Sequence, residues 1–141
     1  HLYFTKALTC TQVVTSGLTD TLLPKANLSE KEKQSLKSFF EYFSITDLQN
    51  RYFQRISTAQ QRIVLLIRAL IKNAEMLILD EPYQFFDEEL IRHANQLLNW
   101  YCRDKTLIFV THHEEEIPSI IDKKIQMING SGKIISTASK G

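Results

Sequence analysis

Two carboxylates follow directly after a short apolar run near the middle of the chain. Residues 76–79 are Met-Leu-Ile-Leu, and Asp80, Glu81 and Pro82 come next. A buried strand that ends in acidic residues is typical of a sheet edge that holds Mg²⁺ and a phosphate, because carboxylate oxygens are ligands that Mg²⁺ prefers. The same pattern also occurs as plain structure, so its meaning depends on what accompanies it.

A second polar cluster follows the next apolar run. Residues 106–110 are Thr-Leu-Ile-Phe-Val, and Thr111 and His112 follow them. Ligands of open parallel sheets bind beyond the carboxyl ends of the strands, so we expect both clusters at one edge. Metal-assisted phosphoryl transfer needs an acid for Mg²⁺, a carboxylate that orients water and a polar group near the γ-phosphate. We therefore predict that Asp80 holds the metal, Glu81 polarises the attacking water and His112 contacts the terminal phosphate.

Capping residues and the spacing of apolar residues predict the helices and strands that must position these residues. Capping boxes predict helices that begin at Ser29 and Ser57, and Asp87 can cap a third helix. Each of the three segments that follow carries an apolar stripe at helical spacing. The apolar runs 76–79 and 106–110 predict strands covered on both faces in a parallel sheet, with a helix crossing between them.

The remaining segments give weaker signals. Residues 9–20 predict a helix that ends near its glycine, and residues 46–50 predict a helical turn. The tail predicts a β-hairpin, with strands over 124–128 and 134–137 joined by a turn at 129–132. Residues before about position 52 look helical and those after 76 alternate strand and helix, which indicates two subregions of one fold.

Composition excludes some classes of protein. The chain has 141 residues, 43% hydrophobic and 23% charged, which suits about one globular domain. A net charge of +1 gives no reason to expect nucleic acid or a membrane surface as a direct partner. No apolar stretch reaches the roughly 20 residues that span a bilayer. Cys10 and Cys102 lack metal-type spacing, which favours a reduced, intracellular setting.

Taken in order, these motifs resemble those of the ATP-binding cassette (ABC) ATPases. Residues 76–82 look like the Walker B strand with its catalytic glutamate, residues 86–87 like the end of the D-loop, and residues 111–112 like the switch-histidine loop. Residues 56–60, ISTAQ, occupy the place of the LSGGQ signature. The continuation over residues 61–70, QRIVLLIRAL, is similar to the molybdate-type or photorepair-type branch of the family.

The resemblance implies an α/β fold: part of a P-loop NTPase-like parallel sheet, with an α-helical subdomain and a C-terminal β-hairpin. Residues 1–60 would be the helical signature subdomain with part of the preceding core, and residues 61–141 the C-terminal part of the ATPase core. It also implies two such domains facing each other, as a homodimer or in tandem. Ser57 and Gln60 of one, with Asp87, would then contact ATP and Mg²⁺ held by the other.

Further partners and placement follow from the same resemblance. A transmembrane permease subunit is an expected partner, and no direct contact with nucleic acid is expected. The protein would then be cytoplasmic, or peripheral at the inner face of the membrane through that permease.

The chain departs from the family in two places. Thr58 and Ala59 stand where the signature has glycines, and their side chains would hinder a close backbone approach. The GxxGxGK(S/T) loop that cradles phosphates is absent, and residues 130–133, GSGK, lack its spacing. We therefore expect that the N-terminal third of the domain lies outside these residues. The isolated chain should then bind ATP weakly and hydrolyse little of it.

Other interpretations stay open. Helix capping alone explains Ser57, Gln60 and Asp87, and the apolar segment 83–86 suits either a dimer contact or local packing. A degenerate, non-catalytic ABC half that serves a competent ATPase as an interaction module is the alternative function. A DNA-repair type of P-loop ATPase is a third, which the lack of sustained heptads before residue 57 disfavours. A metal site at residues 112–116 is disfavoured because adjacent histidines should point apart.

Overall fold

The computed structural model describes residues 7–19 and 21–136 of the chain. These residues contain α-helices, short 3₁₀ turns, a parallel strand pair and an antiparallel hairpin, so the predicted α/β class is confirmed. The helices are α1 (Cys10–Thr15), α2 (Glu30–Tyr42), α3 (Thr58–Leu70) and α4 (Glu88–Tyr101), and the strands are β1 (Met76–Asp80), β2 (Thr106–Val110), β3 (Lys123–Ile128) and β4 (Ser131–Ser136). The 3₁₀ turns cover Ser16–Leu18, Thr46–Leu48, Phe53–Arg55 and Glu114–Glu116.

Every α-helix begins at a side-chain cap. Ser29 and Ser57 form the predicted capping boxes of α2 and α3, and the Asp87 side chain accepts a hydrogen bond from the Leu90 amide of α4 at 2.8 Å. A third capping box at Thr9 starts α1. These caps satisfy amide groups that a helix leaves unpaired in its first turn, which is why the predicted starts are confirmed.

The parallel pairing of the two apolar runs is confirmed. β1 and β2 pair in register, with Met76 opposite Thr106 and Asp80 opposite Val110. The two strands therefore end at the same level, and whatever follows each strand emerges at one edge.

The tail forms the predicted hairpin with a shorter turn than expected, and position 137 of the predicted second strand lies outside the described residues. β4 begins at Ser131 and pairs with Ile128, so only Asn129 and Gly130 lie between the strands. Both residues have positive φ, 50° and 78°, as a two-residue type I′ turn requires. The predicted four-residue turn was wrong because residues 131–132 continue the ladder.

Contacts between the helices form one hydrophobic core. Tyr42 of α2 donates its hydroxyl to the His93 carbonyl of α4 at 2.9 Å, and the two rings stack at 4.1 Å. Tyr101 of α4 donates to the Leu70 carbonyl at the end of α3. The buried apolar residues of α1, α3 and α4 form the centre, including Val13, Val14, Val64, Ile67, Leu70, Ala94 and Leu98.

The prediction that the strands are covered on both faces was wrong for these residues. In β1 the side chain of Leu79 is 6% exposed while that of Ile78 is 61% exposed. On β2, Ile108 and Val110 are likewise exposed. An apolar run in the sequence indicates that both faces of the strand are apolar. It does not indicate whether other residues of the chain cover those faces.

Two further observations concern organisation. None of the helices in the described ranges is long and apolar enough to cross a bilayer. The division between residues 60 and 61 stays a prediction, and it falls within the first turn of α3.

Candidate functional site

The shared edge of β1 and β2 brings the two polar clusters together. The Glu81 amide donates to the Val110 carbonyl at 2.9 Å, which continues the strand pairing one residue beyond Asp80. Glu81 thus lies beside the residues that follow β2, as the strand order predicts.

Glu81 and His112 form a direct pair at this edge. His112 Nδ1 lies 2.6 Å from Glu81 Oε1, and the His112 amide donates to the same oxygen at 3.2 Å. An ionised carboxylate only accepts, so Nδ1 carries the proton in this contact and donates it. Glu81 also has a φ of +45°, an uncommon value for a residue with a side chain. Backbone strain of this kind is found at functional sites, where surrounding contacts hold it in place.

The electrostatics of the pair follow from its geometry. The hydrogen bond to Glu81 raises the pKa of His112 above its ordinary value, and the negative charge of Glu81 adds to the effect. The His112 side chain is exposed, so its ring is accessible to a ligand. The arrangement can therefore present a carboxylate and a cationic imidazole to one small volume at the sheet edge.

The Asp80 carboxylate differs from that of Glu81 in its surroundings. Asp80 is exposed, and among the described residues nothing hydrogen-bonds or pairs with its carboxylate. No group of three or more His, Cys, Asp and Glu side chains in the described ranges could hold a metal by itself. Mg²⁺ in nucleotide sites keeps waters and takes one or two carboxylates plus phosphate oxygens, so a single free carboxylate fits that ion.

A partly buried set of polar residues lies next to the pair, and nothing in the sequence predicted it. Thr111 donates its hydroxyl to Glu116 Oε2 at 2.6 Å, Asn95 donates to the Glu116 carbonyl at 3.1 Å, and Tyr83 donates to Asn95 Oδ1 at 2.6 Å. In the sequence Glu116 is one of three consecutive glutamates. Only its burial separates it from Glu114 and Glu115, and burial of one acid in such a run has no sequence signal.

The expectation that the adjacent histidines point apart was wrong. The rings of His112 and His113 have centroids 4.0 Å apart. The His113 amide donates to the Thr111 hydroxyl at 3.1 Å, and this tight turn brings the two rings to the same side.

Ser57 and Gln60 lie at the amino end of α3 and satisfy each other. The Ser57 hydroxyl accepts from the Gln60 amide at 3.2 Å, and Gln60 Oε1 accepts from the Ser57 amide at 3.0 Å. No hydrogen bond in the described residues joins either side chain to Asp80, Glu81 or His112. Their predicted contact with a nucleotide of a partner domain stays a prediction.

One contact does connect this helix with the segment after β1. Arg62, on the second turn of α3, donates to the side-chain oxygen of Gln84. The aromatic residues around Gln84 differ in exposure. Tyr83 is 1% exposed, and its ring stacks on that of Phe86 with centroids 5.5 Å apart. Phe85 is 66% exposed and has a φ of +70°. Local packing therefore accounts for Tyr83, and Phe85 is the part of this segment that faces outward.

Comparison with known protein families gives a match over more than half of the chain. A family model described as ABC transporter matches residues 5–84. These residues include the ISTAQ segment, β1 and the Asp80–Glu81 pair.

Curated relatives carry the same family description. The chain is 33% identical over 132 residues to the thiamine import ATP-binding protein of Histophilus somni and 30% identical over 137 residues to the ABC transporter ATP-binding protein ModF of Escherichia coli. It is 29% identical over 132 residues to an uncharacterized ABC transporter ATP-binding protein of Schizosaccharomyces pombe. The matches cover 92%, 94% and 92% of this chain but only 59%, 28% and 27% of those proteins.

Solved structures similar to this chain include ABC transporters and their cassettes. A dimeric bacterial ABC transporter cassette matches 92% of this chain and 56% of its own with a TM-score of 0.76 at 22% identity. An inward-facing, metal-chelate type ABC transporter matches 96% of this chain and 55% of its own with a TM-score of 0.74 at 20% identity. At these identities the similarity establishes the P-loop NTPase-like fold predicted from the sequence.

Proposed function

This chain belongs to the ABC transporter family, and from that premise we propose that its Asp80, Glu81 and His112 form the hydrolytic part of an ATP site. ATP hydrolysis there would drive transport or another mechanical task. The observation that carries the proposal is the 2.6 Å contact of Glu81 Oε1 with His112 Nδ1, at the common end of two parallel strands. Open parallel sheets bind their ligands beyond the carboxyl ends of the strands, and this supports the proposal.

Glu81 is the residue that orients and activates water. One of its oxygens is held by the ring and the amide of His112, which fixes the carboxylate plane. Its second oxygen is then able to accept a hydrogen bond from a water. A carboxylate fixed in this way raises the nucleophilicity of that water without having to reorganise during the reaction.

His112 contacts the terminal phosphate. Because Nδ1 is used by Glu81, Nε2 is the nitrogen that can donate to a phosphate oxygen. The Glu81 carboxylate raises the pKa of His112, which increases the fraction of cationic imidazole opposite the developing negative charge. The pair thus couples the water-activating group to the group that contacts the phosphate.

Asp80 would hold the Mg²⁺ that accompanies ATP, directly or through a water. Bound Mg²⁺ would neutralise negative charge on the phosphates, which metal-assisted phosphoryl transfer requires. The contribution of the chain is one exposed carboxylate on a rigid strand, one residue before Glu81 and on the same edge.

The amino end of α3 would serve the nucleotide of a second ABC domain, in a homodimer or a tandem arrangement. A helix N-terminus presents amide donors and the positive end of the helix dipole, which suits a γ-phosphate. Ser57, Gln60 and Asp87 would then contact ATP across the interface. The similar dimeric cassette supports such pairing, and a cassette solved in an ADP conformation supports a nucleotide as ligand.

Partners and location follow from the same proposal. The curated relatives include import ATP-binding proteins for thiamine and for spermidine and putrescine. A permease subunit is therefore the proposed membrane partner, with this protein cytoplasmic and attached to the membrane through it. Since the chain spans about a quarter to three fifths of its curated relatives' lengths, these properties are proposed for the whole protein.

The test is steady-state ATP hydrolysis by the full protein that contains this chain. Replacing Glu81→Gln keeps the size and the hydrogen bond acceptor but removes the charge, and we expect a loss of about 10²-fold or more, the range for a group that activates a nucleophile. Glu75→Gln, one residue before the opposite end of β1, is the matched control and should keep wild-type turnover. Equal turnover in all three proteins would refute the proposal.

A second candidate function is supported by residues 56–60. Thr58 and Ala59 replace signature glycines, which favours a degenerate half that contributes contacts to a competent ATPase. The same assay separates the two: absence of hydrolysis in the wild-type protein, with restored activity only when a competent ABC domain is added, favours the interaction module.

A further inference from the structure

Three partly buried hydrogen bonds join the residues on either side of the Glu81–His112 pair. Tyr83, two residues after Glu81, donates to Asn95 Oδ1 at 2.6 Å, and Asn95 Nδ2 donates to the Glu116 carbonyl at 3.1 Å. Glu116 Oε2 in turn accepts from the hydroxyl of Thr111 at 2.6 Å. Asn95 lies on α4, so a single helix residue connects the segment after β1 to the segment after β2.

Two residues of this network are buried, and their burial restricts its rearrangement. Tyr83 is 1% exposed and Glu116 is 8% exposed. No buried side-chain nitrogen or oxygen in the described residues lacks a partner. A buried polar group that loses its partner costs about 1–3 kcal/mol, so each bond resists rearrangement of the others.

Thr111 transmits this rigidity to the histidine. Its hydroxyl donates to Glu116 and accepts from the His113 amide at 3.1 Å, so both hydrogen-bonding roles of the hydroxyl are engaged. The residues before and after His112 are therefore fixed relative to Glu116, and the His112 amide itself points at Glu81.

We infer that Glu116 and Asn95 are positioning residues that hold His112 against Glu81. Glu116 acts through the Thr111 hydroxyl, and Asn95 ties Glu116 to the segment that leaves Glu81. The importance of this positioning for catalysis rests on the proposed function, but the positioning itself concerns only the geometry of the pair.

The tautomer of His112 reports this geometry directly. Which ring nitrogen carries the proton in neutral imidazole is set by its hydrogen bonds, and an imidazole free in water favours the proton on Nε2. The Nδ1–H form is held here because Nδ1 donates to Glu81. When the loop that carries His112 moves away from Glu81, the proton should shift to Nε2.

The test measures the ¹⁵N chemical shifts of the His112 ring in the full chain, at a pH where the ring is neutral. Glu116→Met removes the acceptor while keeping the volume, and we expect the Nδ1–H form to fall from the major to the minor species. Glu116→Gln is the matched control, because its amide oxygen can still accept from Thr111, and it should retain the wild-type tautomer. Leu36→Ala, in the core at α2, controls for general destabilisation and should also retain it.

Asn95→Leu gives an independent variant should Glu116→Met fail to fold, and it should lower the Nδ1–H population in the same direction. The inference is overturned if the folded variants keep the wild-type tautomer, or if Leu36→Ala changes it as much as they do. A tautomer shift in Glu116→Met together with unchanged ATP hydrolysis in Glu81→Gln would leave the positioning intact and refute the proposed function instead.

Discussion

At the scale of single residues, the candidate site depends on one side chain in an unusual backbone conformation. Glu81 leaves β1 with a φ of +45°, and its amide still pairs with Val110. A left-handed residue directly after a strand turns the chain sharply, and here the Glu81 side chain reaches His112 across the edge. A glycine would adopt this conformation more easily, so the choice of a glutamate there is explained by what its carboxylate contacts.

The Glu81–His112 pair predicts that the stability of the folded protein depends on pH. The hydrogen bond and charge of Glu81 raise the pKa of His112 in the folded protein, so the protonated ring stabilises the folded state. That contribution is present in full below the unfolded value of about 6.5 and is lost as the pH rises through the higher folded value. Titration of the His112 ring by NMR should show an elevated pKa in the wild type.

The same titration in Glu81→Gln should give a pKa closer to the ordinary value, because the neutral amide lacks the charge. Glu75→Gln should leave the His112 titration unchanged. An ordinary pKa in the wild-type protein would contradict the Glu81–His112 contact.

At the scale of elements, the amino end of α3 combines a structural role with a proposed binding role. The capping box of Ser57 and Gln60 is sufficient to start the helix. An aspartate at position 57 would distinguish capping from phosphate binding. Asp caps a helix as well as Ser does, but its negative charge repels a phosphate.

Ser57→Asp should therefore change the free energy of unfolding by no more than about 0.5 kcal/mol, while Ser57→Ala should cost about 1 kcal/mol. In the full protein carrying Glu81→Gln, Ser57→Asp should abolish ATP-dependent association measured by sedimentation, and Ser57→Ala should weaken it less. Equal association of both variants would mean that Ser57 is only a cap.

The packing of α1 on α3 depends on a glycine. A Cβ at Gly17 would lie 2.2 Å from the carbonyl oxygen of Arg68, and the Ser16 hydroxyl accepts from Arg68 Nε at 2.9 Å. Burial lowers the pKa of Arg68, which is held at this crossing with its aliphatic stem packed near Gly17. The helical turn after α1 can approach α3 this closely only without a side chain.

Gly17→Ala should therefore lower the free energy of unfolding by about 1–3 kcal/mol, the range for overpacking a buried contact. Chemical denaturation provides the measurement. Gly132→Ala is the matched control: a Cβ there meets only the side-chain ends of Ile125 and Met127 at 3.3 and 3.4 Å, and the change should stay within about 0.5 kcal/mol.

At the scale of the whole molecule, the parallel strand pair has one packed face and one exposed face. The exposed side carries Met76, Ile78, Ile108 and Val110. Contiguous apolar surface of this kind promotes association, and it belongs to the same sheet whose edge carries the candidate site.

We expect the 141-residue chain by itself to bind a hydrophobic dye and to self-associate at micromolar concentration. The double change Ile78→Thr and Ile108→Thr keeps β-branched side chains and should reduce both signals. Leu23→Thr, at an exposed loop position, is the control and should reduce neither. Light scattering that stays unchanged in the double variant would place the associating surface elsewhere.

The sequence by itself determined the elements and their order, because caps and hydrophobic periods are local properties. The capping boxes at Ser29 and Ser57 and the apolar runs 76–79 and 106–110 were sufficient to predict α2, α3, β1 and β2. The motif order was also sufficient to indicate the family. The edge that Glu81 and His112 share followed from the parallel order of the two strands.

Only the tertiary structure decided which of these residues contact one another and which faces are covered. Of three consecutive glutamates only Glu116 is buried. Its carbonyl accepts a hydrogen bond from Asn95, 21 positions earlier in the chain. One face of the strand pair is exposed and the other is packed, although both faces are apolar in the sequence. Such outcomes depend on contacts between residues far apart in the chain, and a local pattern carries no record of them.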